Sequence, residues 1–509
     1  MNYNTRLTEE CPLTKERSYK HRIYTYCGNG LKFIVVCFVA LTVAITTMLV
    51  LQILYTENIP QSNLHGIHGA VATDYSNCSQ IGTKILARLG NAIDAAVAAT
   101  ICMALVAPHK TGLGGVGYIM IYNYKNYTHP IVIDFTRNTT TGIYYRKRLL
   151  LKGDFFAEAE IRLPALLKGL ECAQKLYGNL PWRDVVEPTI ELAREGFVIS
   201  KDLADEVSKN TDYEIFYAGP LNPGDRLQLE ELTRTLDIVA RNGVKAFYNG
   251  TLSYEILQNT TLREKLLQQL ASYEPIVTMA KSSILHHHTI YYPSHASFMQ
   301  EIIEALENLP ILTENASTIE SQALVAQTLM HVYLQCSQNM QQEVKKETYT
   351  GVMAMDWQDT YVSILSGLSS PFGRGSKVAG FFLDNINNDL STFIPIIFHY
   401  KGICGLRGVF GSKDVFLNGQ ILYNLIMRAL NVSTVVEYPR YYFASDGMVI
   451  ENNQRHSMEA ALQARLYSMI SSLSHDDNLS MTSVNAIVKR KDSLSSHSDS
   501  RGNGIASRF

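Results

Sequence analysis

The feature that most constrains this chain is the run Phe33 to Leu51, FIVVCFVALTVAITTMLVL, which carries no charged residue. As a helix it is long enough to cross a hydrocarbon core of ~30 Å, and it continues without Lys or Arg through Tyr55. A buried core helix is rarely apolar on every face, and the apolar part of a cleaved signal peptide is shorter and ends in small residues. The run therefore reads as one membrane span over 33–55. Arg6, Lys15, Arg17, Lys20, Arg22 and Lys32 precede it, whereas Glu57 follows it and the next cation is Lys84. By the positive-inside rule, residues 1–32 form a cytosolic tail, 56–70 a stalk and 71–509 a lumenal or extracellular domain in a plasma-membrane or secretory-pathway membrane.

Two signals agree with that topology. Sequons at Asn77, Asn126, Asn138, Asn249, Asn259, Asn315, Asn431 and Asn478 all lie beyond the span, where glycosylation takes place. Five cysteines (Cys78, Cys102, Cys172, Cys336 and Cys404) share that oxidising side, an odd number that leaves at least one without an intrachain partner.

The rest is globular: 46% hydrophobic and 18% charged residues, with a net charge of −2. With no basic stripe, a nucleic-acid partner is excluded. Tyr75 to Val106 has helical spacing and opens after the capping cluster Asp74-Tyr75-Ser76. A glycine loop over residues 111–117 leads into short strands at Tyr118 to Tyr122 and Ile131 to Phe135. Helical patterns follow at Pro164 to Tyr177, after Trp182, at Lys201 to Lys209 and at Leu227 to Arg241. The last third carries strands around Val352 to Met355 and Phe381 to Leu383, a helix over Leu417 to Leu430, and a Ser-rich stretch at Ser493 to Ser500. Interleaved strands and helices predict a layered α/β fold.

His286-His287-His288 with His295 invites a metal reading. The run sits in Ile284 to Tyr292, which alternates like one strand and lacks carboxylate or cysteine partners at ligand spacing, so a structural role is expected and no metal. No Gly-x-Ser-x-Gly elbow is present, which leaves a serine hydrolase unsupported.

Gly90-Asn91-Ala92-Ile93-Asp94-Ala95-Ala96-Val97-Ala98-Ala99 followed by Gly112-Leu113-Gly114-Gly115 resembles the γ-glutamyltransferase (glutathione hydrolase) family. Collinear stretches extend the resemblance: residues 177–182 (YGNLPW), 187–197 (EPTIELAREGF), 246–250 (AFYNG), 437–440 (EYPR) and 499–501 (DSR). The resemblance implies an N-terminal-nucleophile hydrolase fold, an αββα sandwich preceded by a single anchor helix, with large-subunit-like residues 71–346 and small-subunit-like residues 347–509. It also implies a Cys78–Cys102 disulfide, no cofactor, glutathione or another γ-glutamyl compound as ligand, and association with itself or an active paralogue.

Members of this family cleave themselves so that a threonine becomes a new N-terminus and attacks the γ-glutamyl carbonyl. Aligning Val352-Met353 with the family pattern puts that nucleophile position on Glu347, which has neither the hydroxyl nor the thiol that self-cleavage needs. Thr348 is the alternative nucleophile, but strand alternation turns it to the other face from Glu347, Tyr349 and Gly351 unless a bulge intervenes. The same alignment places the α-carboxylate clamp at Thr136 with Arg137 one place late, the nucleophile's partners at Gly367 and Ser369, and the amino-group acceptor at Asp389 with its companion at Ile386. The oxyanion-hole pair falls on Gly411 and Ser412, whose amides survive a Gly-to-Ser change. The segment between Leu390 and Gly405 is short for the family, and the stretch before Lys345 lacks the helical segment and processing peptide that precede the family's cleavage point. Three readings follow: an impaired homologue that keeps a γ-glutamyl ligand or a partner role, an active glutathione hydrolase cleaved before Thr348, and a structural surface glycoprotein.

Overall fold

The computed structural model describes residues 32–51 and 69–509, except 127–128, 137–143, 149–155, 161, 210–216, 218, 258–262, 297, 310–317, 338–347, 374, 385–392, 403–404, 445–446, 452–457, 470–472 and 477–481. Helix α1 (Lys32–Leu51) forms its own unit, with a mean hydropathy of 2.8 and no buried surface. Its 20 residues span ~30 Å, long and apolar enough to cross a membrane. The hydroxyls of Thr46 and Thr47 donate to the carbonyls of Thr42 (2.9 Å) and Val43 (2.7 Å) one turn earlier, so these polar groups stay satisfied without water.

The second unit is built on two antiparallel sheets. Strands β1 (Ala70–Ala72), β2 (Val116–Asn123), β3 (Ile131–Asp134), β4 (Ile276–Met279), β7 (Thr348–Met355), β8 (Thr360–Leu368) and β13 (Ser507–Arg508) form a seven-stranded sheet ordered β13-β1-β7-β8-β2-β3-β4. Strands β5 (Lys281–Leu285), β6 (His288–Tyr292), β9 (Ile394–Tyr400), β10 (Leu406–Ser412), β11 (Asn485–Arg490) and β12 (Ser493–Ser498) form a six-stranded sheet ordered β12-β11-β10-β9-β6-β5. The two sheets face each other: the Cβ that Gly411 lacks would lie 3.1 Å from Leu365 Cδ1, and Ser363 Oγ reaches Phe410 O at 3.4 Å. Every residue of β8 is buried, as expected of a central strand covered on both faces.

Helices cover the outer faces. On the seven-stranded sheet lie α2 (Ser76–Ala87), α3 (Ala92–Val106) and α4 (Leu166–Tyr177); α5 (Trp182–Glu195) packs against α3, followed by α6 (Lys201–Ser208). The helices Met299–Glu307, Thr318–Ser337 and Val415–Leu422 pack with the six-stranded sheet in a second apolar core. All of α3 is buried, which explains its Ala-rich sequence, apolar but for Asp94 in its first turn and Thr100, whose hydroxyl donates to Ala96 O at 2.8 Å. The αββα sandwich is therefore the observed architecture.

The sequence landmarks prove to be long-range ties. Asn91 caps α3 in a capping box with Asp94, and the Asp94 carboxylate also accepts from the amides of Asn179 (2.9 Å) and Leu180 (3.1 Å), docking residues 177–182. The far end of β7 joins the same corner through Asp356, whose Oδ2 accepts from Ala92 N at 2.9 Å. Asp499 lies between Arg440 (2.6 Å) and Arg501 (3.0 Å), and Glu437 accepts from Ser500 N at 2.9 Å, so residues 437–440 and 499–501 form one buried ionic knot.

Several local expectations are corrected. Tyr75 to Val106 is two helices, broken where Leu89 takes φ 65° just before Gly90. Tyr75 is the N-cap residue of α2 and its side chain does not cap; the turn is held by Thr73, whose hydroxyl donates to Tyr75 O at 2.8 Å. The helix read from Leu227 begins at Glu230, because Arg226–Leu227 pairs with Phe197–Val198 as a short strand. Ile284 to Tyr292 is not one strand: His286 and His287 adopt φ 43° and 63° and turn β5 into β6. Among the described residues no His, Cys, Asp and Glu side chains gather in a group able to hold a metal ion. The Ser-rich stretch forms strand β12, and Ala70, read as the last stalk residue, already belongs to β1. The stretch before Lys345, read as lacking a helical segment, carries the helix Thr318–Ser337, held in the second apolar core.

Candidate functional site

Residue 347 lies outside the described residues, as do Arg137, Ile386 and Asp389. The strand that follows residue 347 is fully defined. β7 pairs with β8 in unbroken register from Thr348↔Leu368 to Met355↔Tyr361, so no bulge shifts the alternation of its side chains. Tyr349 is buried and turned toward the facing sheet: its ring lies 5.9 Å from that of Phe393, and its hydroxyl donates to Ser483 O. Burial holds the Tyr349 phenol well above its ordinary range, so it stays protonated and donates. Alternation puts Thr348 on the face opposite Tyr349 and Gly351, with its hydroxyl 3.0 Å from Lys110 O and 3.2 Å from Leu368 O.

Ser369 follows β8, and both its amide (2.9 Å) and its hydroxyl (2.6 Å) donate to Asp384 Oδ1. Asp384 is fully buried beside Arg162, 3.7 Å from its Nε. Arg162 also donates from its backbone to Asp384 O (3.0 Å) and from Nη1 to Thr136 O (3.0 Å). The Thr136 hydroxyl donates to Asp134 Oδ1 at 2.7 Å and lies 3.1 Å from Tyr118 Oη. The structure thus joins Thr136 and Ser369, two positions singled out in the sequence, through Arg162 and Asp384, which were not. One is a lone arginine before Pro164 and the other a lone aspartate in a segment read for Asp389; nothing in the local sequence pairs residues so far apart.

Gly411 and Ser412 end β10, opposite Pro395 and Ile394 of β9. The Ser412 hydroxyl lies 2.9 Å from Asn418 Oδ1 and accepts from Asp414 N at 3.1 Å, tying the strand end to the helix that Asp414 caps. A second unanticipated cluster centres on Asp74, which accepts from Thr350 Oγ1 (3.2 Å), Ser483 Oγ (2.9 Å) and Asn485 Nδ2 (2.8 Å). Burial raises the Asp74 carboxyl above its ordinary range, partly offset by the Lys110 charge and these hydrogen bonds. Asn485 also donates to Gly351 O at 2.8 Å, so the network braces β7 against β11.

Cys78 and Cys102 form a disulfide between α2 and α3, as the resemblance implied. Cys172 is a free, half-buried thiol; the side chains of Cys336 and Cys404 lie outside the described residues. Of the sequons, Asn126, Asn249 and Asn431 are exposed and Asn77 is half-buried in the first turn of α2, whereas Asn138, Asn259, Asn315 and Asn478 lie outside the described residues.

Comparison with known proteins agrees with this architecture. A solved cephalosporin acylase from Bacillus halodurans superposes with a TM-score of 0.69 at 16% identity, covering 89% of this chain and 99% of that one, which speaks to the fold alone. Glutathione hydrolase 7 of Mus musculus is 30% identical over 316 residues, 59% of this chain and 46% of that protein. Glutathione hydrolase 5 proenzyme of Homo sapiens is 30% identical over 282 residues, 51% and 47% respectively, so the chain spans about half the length of the relatives it matches. A family model for gamma-glutamyltranspeptidase matches residues 78–350, more than half of the 509. The chain belongs to the gamma-glutamyltranspeptidase family.

Proposed function

We propose that this protein is a type II membrane member of the family that has lost self-processing, and with it most or all γ-glutamyl hydrolysis. Its domain faces the lumen or the extracellular space, carries N-glycans, and keeps a γ-glutamyl ligand or a partner chain as its business. The observation that carries this reading is the start of β7. The family's nucleophile position aligns with Glu347, a carboxylate that cannot undergo the peptide-bond rearrangement, and Thr348 faces away in a strand with no bulge. Erosion elsewhere supports it: Thr136 stands at the clamp position, Gly367 and Ser369 at the partner positions, and Ser369 spends its hydroxyl proton on Asp384.

The test is the intact mass and N-terminal sequence of the deglycosylated protein. A single chain running through residues 347 and 348 is expected. Two chains, the smaller beginning at Thr348, overturn the reading and make this an active glutathione hydrolase, the activity in the names of its relatives. If the chain stays intact, a rise in melting temperature with glutathione or γ-glutamyl-glutamate separates a retained ligand site from a purely structural glycoprotein, because only a ligand that favours the native state stabilises it.

A further inference from the structure

A cavity of about 330 Å³ opens among the start of α2, the end of α3 and the start of α6, away from the space between the sheets. Its polar wall includes the buried Asp74 carboxylate, already held by Thr350, Ser483 and Asn485, and an ion pair drawn from distant parts of the chain, Lys110 and Asp202, with Lys110 Nζ 2.5 Å from Asp202 Oδ2. The same Oδ2 lies 3.2 Å from His109 Nε2. Two groups are thus packed on one carboxylate oxygen, and Asp202 Oδ1 has no protein partner among the described residues. Lys110 has three ammonium protons and one hydrogen-bonded acceptor there. The Lys110 and Asp202 side chains remain 20% and 31% exposed in the cavity they line, so a free acceptor and spare donors sit side by side. The opposite wall is apolar, formed by Met103 and Val106, which are buried, and Val198, which is 44% exposed.

We propose that this cavity binds a free α-amino acid with an apolar side chain. The ligand's carboxylate takes the spare Lys110 protons, its ammonium donates to Asp202 Oδ1, and its side chain covers Met103, Val106 and Val198. The pairing selects for one α-carbon: Lys110 and Asp202 are adjacent, as are the two charges of an amino acid, whereas those of a dipeptide are separated by a further Cα step of about 3.8 Å. Charge-assisted bonds on both ends in a half-buried site give selectivity for the zwitterion.

The experiment is calorimetric titration of the detergent-solubilised full-length chain with L-leucine, L-methionine and L-phenylalanine. Saturable binding of at least one is expected, weakened about tenfold or more for its N-acetyl and amide derivatives, each of which lacks one charge. Val198→Trp fills the cavity from a wall position that is already exposed, so it keeps the wild-type melting temperature and loses binding. Lys110→Met loses binding too, and Val198→Trp guards against that variant failing to fold. The proposal is overturned if none of the three amino acids saturates below about 10 mM, if the N-acetyl derivative binds as tightly as the free amino acid, or if folded Val198→Trp binds like the wild type.

Discussion

The hydroxyl of Thr348 lies 3.0 Å from the carbonyl oxygen of Lys110, joining the first residue of β7 to the turn that follows α3. A threonine that acts as an N-terminal nucleophile needs its hydroxyl free toward the substrate, and this one is committed on the helical side of the sheet. Thr348→Val is expected to cost about 1 kcal/mol of stability, the worth of one hydrogen bond, and to leave a single uncleaved chain with the wild-type N-terminus. Loss of a processing product in this variant would give Thr348 the catalytic role denied to it here.

Restoring the nucleophile alone is not enough. Glu347→Thr supplies a hydroxyl at the position the proposed alignment gives to the nucleophile, but the residues two and four places on are Tyr349, locked to Ser483 O, and Gly351, which offers no side chain. The single variant is expected to remain one chain on denaturing gels after prolonged incubation. Appearance of a fragment beginning at residue 347 would show that the surrounding geometry is still competent.

How much of this was legible in the sequence follows from distance along the chain. The apolar first helix, the glycine loop and the main strands are local patterns, and the structure places them close to where those patterns end. The hairpin at His286-His287 was hidden because β5 and β6 both alternate, so two strands joined by a two-residue turn look like one. β12 was hidden because serine is a weak strand signal; its pairing with β11 decides the matter. The polar clusters were out of reach for another reason. Asp74 meets Asn485 across 411 residues and His109 meets Asp202 across 93, and no periodicity carries information over such separations.

The knot at the C-terminus is expected to be the most sensitive point of the fold. Asp499 is fully buried between two cations and also accepts from Val484 N at 2.9 Å. Arg440 and Arg501 together hold its carboxyl below the usual carboxylate range despite the upward push of burial. Asp499→Asn takes the paired carboxylate from the buried Arg440 guanidinium, while Arg501 keeps Glu451 at 2.6 Å; breaking the buried Arg440 pair is expected to cost about 3–5 kcal/mol. Chemical denaturation should show that loss, whereas Arg241→Ala, which removes the exposed Arg241–Asp237 pair, should change stability by at most about 1 kcal/mol.

Acid should weaken the domain in two stages at the His109–Asp202–Lys110 cluster. Burial lowers the His109 pKa from its ordinary 6.5, an effect the Asp202 partner only partly offsets. A base with a depressed pKa contributes stability that is full above its unfolded value and is lost as the pH falls through about 6.5 toward the folded value. Burial pushes Asp202 up, but the His109 hydrogen bond and the Lys110 charge outweigh it and hold the carboxyl far below 3.8. Its contribution is lost only below about pH 3.8. Melting temperatures of His109→Gln should therefore fall less than those of the wild type between pH 7 and 5, with the two proteins converging in slope below pH 4. Parallel curves across the whole range would assign the acid sensitivity to other groups.

The disulfide sets the last expectation. Cys78 and Cys102 are 24 residues apart, and closing a loop of that length removes chain entropy worth about 3 kcal/mol from the unfolded state. Cys78 sits in the first turn of α2, next to Asn77, which lines the cavity. Cys102→Ala, which leaves the sequon at Asn77 intact, should lower stability by about that amount. It should also loosen the start of α2 more than the sheet, because β1 is held independently by β7 and β13. Hydrogen exchange resolves the two: faster exchange confined to α2 and α3 is the expected result, and equal acceleration across β7 and β8 would mean that the bridge supports the sandwich as a whole.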